Sequence, residues 1–336
     1  MLRNFLVRLF VPLLIASAVL AGGGWFYFRH AVSEPLDFGD NTFLVERGEN
    51  LNGISRRLTD SGVTPEPWSL RILSRLGGNA TIIAGEYEFP RQMSLAEFLD
   101  RIVTGRGQVD VRVTIVEGWN FRQMREALRN AAGLRQTTAE WTDARIMEAL
   151  GYPQTHPEGQ FYPDTYHYHS NDADLVIYRK AFDLMQSRLS EAWSERAPGL
   201  PLDNSYEALI LASIIEKETQ VRDEQPTIAG VFYNRLAKGM RLQTDPTVIY
   251  GLGEAFDGDL KRKHLETDTP YNTYTRWGLT PTPISLPGMD SLMAAVRPEK
   301  TEAYYFVAKG EGRHHFSRTL KEHNRAVRKY ILGKSQ

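Results

Sequence analysis

The stretch Ser205-Tyr206-Glu207-Ala208-Leu209-Ile210-Leu211-Ala212-Ser213-Ile214-Ile215-Glu216-Lys217-Glu218 holds neither glycine nor proline and reads as one helix. At about 100° per residue, Ile210, Leu211, Ile214 and Ile215 define one face, and Glu218 falls near its middle. Glu216 falls roughly opposite, nearer Leu209 and Ala212. A carboxyl at the end of an apolar stripe is expected to be partly desolvated, which disfavours its charged form and raises its pKa. It would then keep a proton near neutral pH, as a general acid must. In the bland alternative the helix ends here and Glu218 swings into solvent, with Glu216 and Lys217 solvating the terminus.

Downstream, Pro226 opens an amphipathic helix holding Ile228, Val231, Phe232 and Leu236, closed by Gly239. The loop Leu242 to Thr247 follows, where Gln243 offers both donor and acceptor groups. Thr244 or Asp245 can cap a short helix at Val248 to Tyr250, and for Asp245 capping and chemistry weigh evenly. Tyr271-Asn272-Thr273-Tyr274 and the proline-rich Gly278 to Gly288 stretch predict a rigid loop rich in aromatic and hydrogen-bonding groups. Tyr304 to Ala308 and His314 to Ser317 read as a hairpin, and Arg318 to Leu332 as a closing helix. No G-x-S-x-G, H-E-x-x-H or P-loop occurs, and no Ser precedes a Lys by three residues. His314, His315 and His323 are the obvious zinc candidates, but adjacent strand residues point to opposite faces, so no metal or other cofactor is expected.

Upstream, Arg3 and Arg8 precede an uncharged run from Leu9 to Phe28, long enough at helical rise to cross about 30 Å of hydrocarbon. Positive charge before the run and acidic residues after it place the N-terminus in the cytoplasm. Trp25-Phe26-Tyr27-Phe28 resembles an interfacial aromatic belt, which favours an uncleaved anchor over a signal peptide cut near Ala16-Ser17-Ala18. Residues 29–41 read as a linker. A strand at Thr42 to Val45, a helix behind Asn50 stopped by Gly62 and Pro65, a helix near Ser69 to Leu76, a strand near Ala84 to Phe89 and a helix behind Ser94 ended by Gly105 follow. Val109 to Val116 alternates like a strand, Phe121 to Asn130 reads as a helix, His156 to His169 as an ordered connection, and 173–197 as a long amphipathic helix. The 336 residues carry a net charge of −1, which excludes a global basic field for nucleic acid. No cysteine is present, so thiol nucleophiles, thiolate zinc sites, iron–sulfur clusters and disulfides are all excluded.

Several runs together are specific. Ala212 to Thr219, Asn234-Arg235-Leu236, Met240 to Thr247 with Tyr250-Gly251, Tyr271 to Tyr274, Tyr305 to Ala308, His315-Phe316 and Glu322-His323-Asn324 resemble the endolytic murein transglycosylase (YceG-like) family. Glu158-Gly159 and Phe161 to Tyr166 fit it too. His314 departs from the single histidine expected beside His315, leaving its role open. The resemblance implies an α+β chain organised as a cytoplasmic N-terminus (1–8), a transmembrane anchor (9–28), a linker (29–41), a LysM-like peptidoglycan-binding subdomain (42–107), a small α/β connecting subdomain (108–170) and a catalytic domain (171–336). That last part would carry the helix with the catalytic Glu and a C-terminal hairpin. It implies Glu218 as the catalytic acid, with Gln243, Asp245, Asn272, Tyr274 and Glu158 as substrate-binding candidates. The implied substrate is the peptidoglycan glycan strand, cut between N-acetylmuramic acid and N-acetylglucosamine to leave a 1,6-anhydro end. The implied site of action is outside the inner membrane, with a peptidoglycan synthase as a plausible partner. The alternative from another class is an anchored, non-catalytic peptidoglycan-binding scaffold.

Overall fold

The computed structural model describes residues 2–39, 42–46, 48–64, 68–76 and 81–333, with side chains from Val11 onward. The expected roles of Arg3 and Arg8 as cytoplasmic charges and of Pro65 as a helix stop lie outside the described side chains and residues. Two compact units are present: Met1–Val111 with Ala132–Arg135 and Tyr168–Asp172, and Arg112–Ala131 with Gln136–His167 and Ala173–Gln336.

The first unit begins with α1 (Leu2–Ser33), of which Val11–Ser33 is long and apolar enough to cross a membrane. The expected anchor ends at Phe28, but the helix runs on to Ser33 and its last turns enter a core. Phe28 and Val32 are buried there, Phe28 against Trp68 with ring centroids 6.2 Å apart. Phe28 therefore leaves the aromatic belt expected of it, while Trp25, Phe26 and Tyr27 stay exposed. The linker expectation fails next. β1 (Pro35–Asp37) sits inside residues 29–41 and pairs antiparallel with β4, which lies more than fifty residues downstream. β2 (Thr42–Val45), α2 (Leu51–Asp60), α3 (Ser69–Leu76), β3 (Gly85–Glu88), β4 (Gln92–Ser94) and α4 (Leu95–Thr104) follow. β2 pairs antiparallel with β3, from Thr42 opposite Glu88 to Val45 opposite Gly85. Asn50 caps α2 by accepting from the N–H groups of Asn52 and Gly53, and Ser94 caps α4 by accepting from Glu97. Phe43, Phe89 and Phe98 join the α2, α3 and α4 apolar faces in one core.

The 108–170 region does not stand apart as a subdomain, since most of it packs in the second unit. β5 (Asp110–Thr114) pairs with β6 (Thr165–His169), and between them lie α5 (Phe121–Arg129) and α6 (Asp143–Leu150). The second unit continues through α7 (Asp174–Ser194), α8 (Ser205–Glu218), α9 (Gln225–Ala237), α10 (Asp245–Leu252), α11 (Arg262–Glu266), α12 (Met289–Val296), β7 (Tyr305–Gly310), β8 (Arg313–Ser317) and α13 (Leu320–Tyr330). β7 and β8 form the expected hairpin, with an irregularity between Ala308 and Gly310.

α8 is the axis of this unit. Every residue from Ala208 to Ile215 is buried, so the helix has no single apolar face, unlike the amphipathic projection. α7, α9 and α12 surround it and share its core through Met185, Ile228, Phe232, Leu292 and Val296. The hydroxyls of Ser213 and Ser285 inside this packing are paired. The Ser213 hydroxyl donates to Ile210 O (2.7 Å) and accepts from Ile284 N–H (2.9 Å), and the Ser285 hydroxyl donates to Ser213 O (3.0 Å). The Gly278 to Gly288 stretch is thereby fastened to α8.

Close approach also fixes Gly230 on α9, where an added Cβ would lie 2.3 Å from the backbone oxygen of Glu299. Because that neighbour is backbone, Gly230→Ala is expected to lower stability by about 1–3 kcal/mol, read as a lower thermal midpoint of the second unit.

Candidate active site

The C-terminal turn of α8 presents three polar side chains to three different segments. Glu216 accepts from Gly288 N–H (3.0 Å), the residue before α12, and burial raises its pKa against that bond. Lys217 donates from Nζ to Gly118 O (3.1 Å). Glu218, half-buried, accepts from the Thr244 hydroxyl at Oε2 (2.5 Å). Neither glutamate simply solvates a helix end.

Burial is the leading cause of a raised Glu218 pKa. The Thr244 hydrogen bond and the charge of His314 pull it down, while the neighbouring Asp245 charge pushes it up. Sequence reading assigns Thr244 to helix capping. It does occupy the N-cap position of α10, yet its side chain makes no capping bond and instead donates its hydroxyl hydrogen to Glu218.

A buried threonine cluster holds that hydroxyl in place. Thr244 N–H donates to Thr273 Oγ1 (3.1 Å), Thr247 Oγ1 donates to Thr244 O (2.8 Å), and Thr247 and Thr273 share a hydroxyl contact of 2.8 Å. Gln243 N–H donates to Thr273 O (3.1 Å), so the 243–247 and 271–274 segments are stitched together. Gln243 itself is exposed and adopts φ 52°, a left-handed conformation costly for a residue with a Cβ. Its Oε1 accepts from the Arg235 guanidinium (2.5 Å), so the amide has its NH₂ left as the donor. Arg235 is only 6% exposed, and among the described residues no carboxylate pairs with it. It donates instead to Arg241 O, Tyr304 O and Gln243 Oε1, and burial lowers its pKa.

Asp245, exposed at the start of α10, accepts from the Tyr274 hydroxyl at 2.5 Å. Asn272 departs from its expected place. It is 0% exposed; its NH₂ donates to His264 O, Leu265 O and Thr267 O, and its Oδ1 accepts from Tyr274 N–H. No sugar can reach it, so Asn272 supports the loop that presents Tyr274.

Glu158 is 3% exposed and lines a cavity of about 1050 Å³, together with Lys217, Pro246, Tyr250 and Tyr271. Both its oxygens are engaged, Oε1 by Phe121 N–H and Oε2 by the Tyr250 hydroxyl, each at 3.0 Å. It thus ties the start of α5 to α10, and burial pushes its pKa up to about 7. Glu218 is not among the cavity's lining residues, but its neighbour Lys217 is.

The three candidate histidines go to different places. His314 donates N–H to both oxygens of buried Glu224 and sets Nδ1 3.0 Å from Oε2, His315 lies against Tyr330, and His323 stacks on Tyr305. Arg235, Thr273 and Glu224 have no local sequence signal for these roles, because each acts on a segment distant in the chain.

Fold and site together define an α+β protein with an N-terminal apolar helix and a desolvated carboxyl framed by hydrogen-bonding loops. The chain belongs to the YceG-like family, whose pattern matches residues 43–329. It is 32% identical over 333 residues to the endolytic murein transglycosylase of Bacillus subtilis, spanning 94% of this chain and 92% of that one. It is 25% identical to the endolytic murein transglycosylase of Streptococcus pneumoniae serotype 2 over 96% of this chain and 65% of that one. Among solved structures, a yceG-like protein from Listeria monocytogenes superposes with a TM-score of 0.54 at 30% identity, covering 84% of this chain and 97% of that one.

Two outcomes follow from the electrostatics. Thr244→Val removes the direct hydrogen bond that stabilises ionised Glu218, so the Glu218 pKa is expected to rise further, read by carbon NMR of labelled glutamate. Glu158 binds its proton more tightly when folded, so stability is full below pH 4.5 and declines as pH rises toward 7. Glu158→Gln should flatten that decline, which amounts to on the order of 3 kcal/mol, in unfolding measured across the same range.

Proposed function

We propose that this chain is an endolytic murein transglycosylase with Glu218 as its acid and base. The observation that carries this reading is the desolvated Glu218 carboxyl at the end of α8, in a chain of the YceG-like family. Protonated Glu218 gives its proton to the oxygen joining N-acetylmuramic acid to N-acetylglucosamine, and the C1–O bond breaks with oxocarbenium character at the muramic C1. The substrate's acetamido oxygen stabilises that carbon, so no second protein carboxylate acts as nucleophile. Ionised Glu218 then takes the proton of the muramic C6 hydroxyl, and O6 bonds to C1 to close the 1,6-anhydro ring. Water is neither consumed nor released.

Thr244 suits both halves of this cycle, because a neutral hydroxyl supports the carboxylate without fixing it in the charged state. The NH₂ of exposed Gln243 and the Tyr274–Asp245 pair are the groups available to hold acetamido and hydroxyl groups. Glu158 acts as a positioning residue for α10.

Around this site we place α1 as a single-pass anchor in the inner membrane, N-terminus inside and catalytic domain outside. The β2–α2–α3–β3 arrangement, with its outer strands paired antiparallel, supports a LysM-like module for peptidoglycan. An enzyme held there would meet strands as they emerge, and a peptidoglycan synthase is the partner we propose.

Glu218→Gln should lower turnover of purified glycan strands by about a thousandfold or more while the thermal midpoint holds. Mass analysis of wild-type products should show anhydro ends, lighter by one water than reducing ends. Reducing ends would instead mean hydrolysis, and sacculus binding without any turnover would mean a scaffold.

A further inference from the structure

Trp277 is a large aromatic left 66% exposed in the second unit, and it is not left loose. The Arg241 guanidinium lies over its ring, 4.2 Å from the centroid, and Arg241 also donates to Tyr274 O (3.1 Å). The residue before it, Arg276, makes a two-bond pair with Asp268 at 2.9 Å on each side, and Thr275 donates to the same carboxylate (2.7 Å). Buried Asn272 anchors the start of the turn. One face of the indole is therefore backed by a cation and its backbone is braced, while the rest of the ring meets solvent.

Isolated exposed apolar side chains are ordinary, so exposure alone decides nothing. What separates Trp277 is the bracing and the company it keeps. A ring whose ordering cost is met in the free protein binds a flat partner with little further loss of entropy. The same contacts lead back to the acid: Arg241 to Tyr274, Tyr274 to Asp245, and Asp245 follows Thr244, the partner of Glu218. The groups joined to the ring along this chain are a guanidinium, a phenol and a carboxylate rather than an apolar patch. An aromatic face linked to such groups by a chain of contacts matches a pyranose, which offers C–H bonds on one face and hydroxyls around its rim.

We propose that Trp277 is a stacking platform for a sugar ring of the glycan strand, a subsite beyond the scissile bond. This deepens the transglycosylase reading and rests on it for the identity of the sugar. The subsite acts on strand binding, so its loss falls mainly on KM.

The test uses the full chain in detergent with peptide-free glycan strands freed from sacculi by an amidase. In a Glu218→Gln background, Trp277→Ala should weaken strand binding about tenfold, and Trp277→Phe should restore most of it. In the active background, Trp277→Ala should raise KM by a similar factor and move kcat much less. An unchanged thermal midpoint separates these effects from misfolding, as a residue so exposed should allow. Binding within twofold of the parent for Trp277→Ala would overturn the subsite, whatever turnover shows. Tryptophan-dependent binding in a wild-type chain that cuts no strand would overturn the transglycosylase reading and leave the subsite standing.

Discussion

One hydrogen bond, from the Thr244 hydroxyl to the Glu218 carboxyl, is the constraint around which the second unit is arranged. Its donor sits at the start of α10 and its acceptor at the end of α8, so the bond exists only if both helices and the connection through α9 hold register. The burial of Ala208 to Ile215 supplies the first half of that requirement, because a helix enclosed on all sides cannot rotate or slide without opening voids. The threonine cluster supplies the second half by locking Thr244 to Thr273.

The last turn of α8 does more than end a helix. Ser213 fastens the 284–285 segment, Glu216 the residue before α12, Lys217 the loop at Gly118, and Glu218 the start of α10. Four residues thus organise three stretches, each up to about a hundred positions from α8 in the chain. A helix C-terminus carries a partial negative charge, so it adds to burial in disfavouring ionised carboxylates there. Glu216 offsets part of that cost with a backbone donor and Glu218 with a side-chain hydroxyl. The two glutamates are both desolvated, but only Glu218 faces the Thr244–Asp245 segment.

Much of this was legible where the signal is local. The bounds of α8 follow from an uninterrupted apolar run, the caps of α2 and α4 from Asn50 and Ser94, and the hairpin from its glycines. What stayed hidden depends on distant partners. β1 consists of three residues whose ladder comes from β4, so nothing within 29–41 announces it. The N-terminus of α12 has Gly288 as its cap residue and is served by Glu216, more than seventy residues earlier. α6 is a different kind of miss, since Thr142 and Gly151 bracket it with ordinary local cap signals. Asn272 looked like a ligand group because an amide in an aromatic loop suits a sugar, and only its complete burial shows that it serves the loop instead. The helical projection favoured Glu218 over Glu216 on the premise of one apolar face, yet α8 has none. The family's pattern therefore bears more of that assignment than the projection does.

The choice of partner for Glu218 matters for what a single carboxyl can do. A lysine or arginine at that distance would hold it ionised and remove the proton needed for the first step. A second carboxylate in direct contact would make the pair share a proton and resist giving it up. Arg235 lies in the same neighbourhood, but it donates to Arg241 O, Tyr304 O and Gln243 Oε1, so its charge is directed at carbonyl and amide oxygens. A threonine hydroxyl is neutral and can donate to one carboxyl oxygen while the other carries or receives a proton. Its worth to the carboxylate is that of one hydrogen bond, large enough to orient the group and too small to decide its charge. On the proposed mechanism this is the property the site requires, because the same side chain must be an acid before the bond breaks and a base after it.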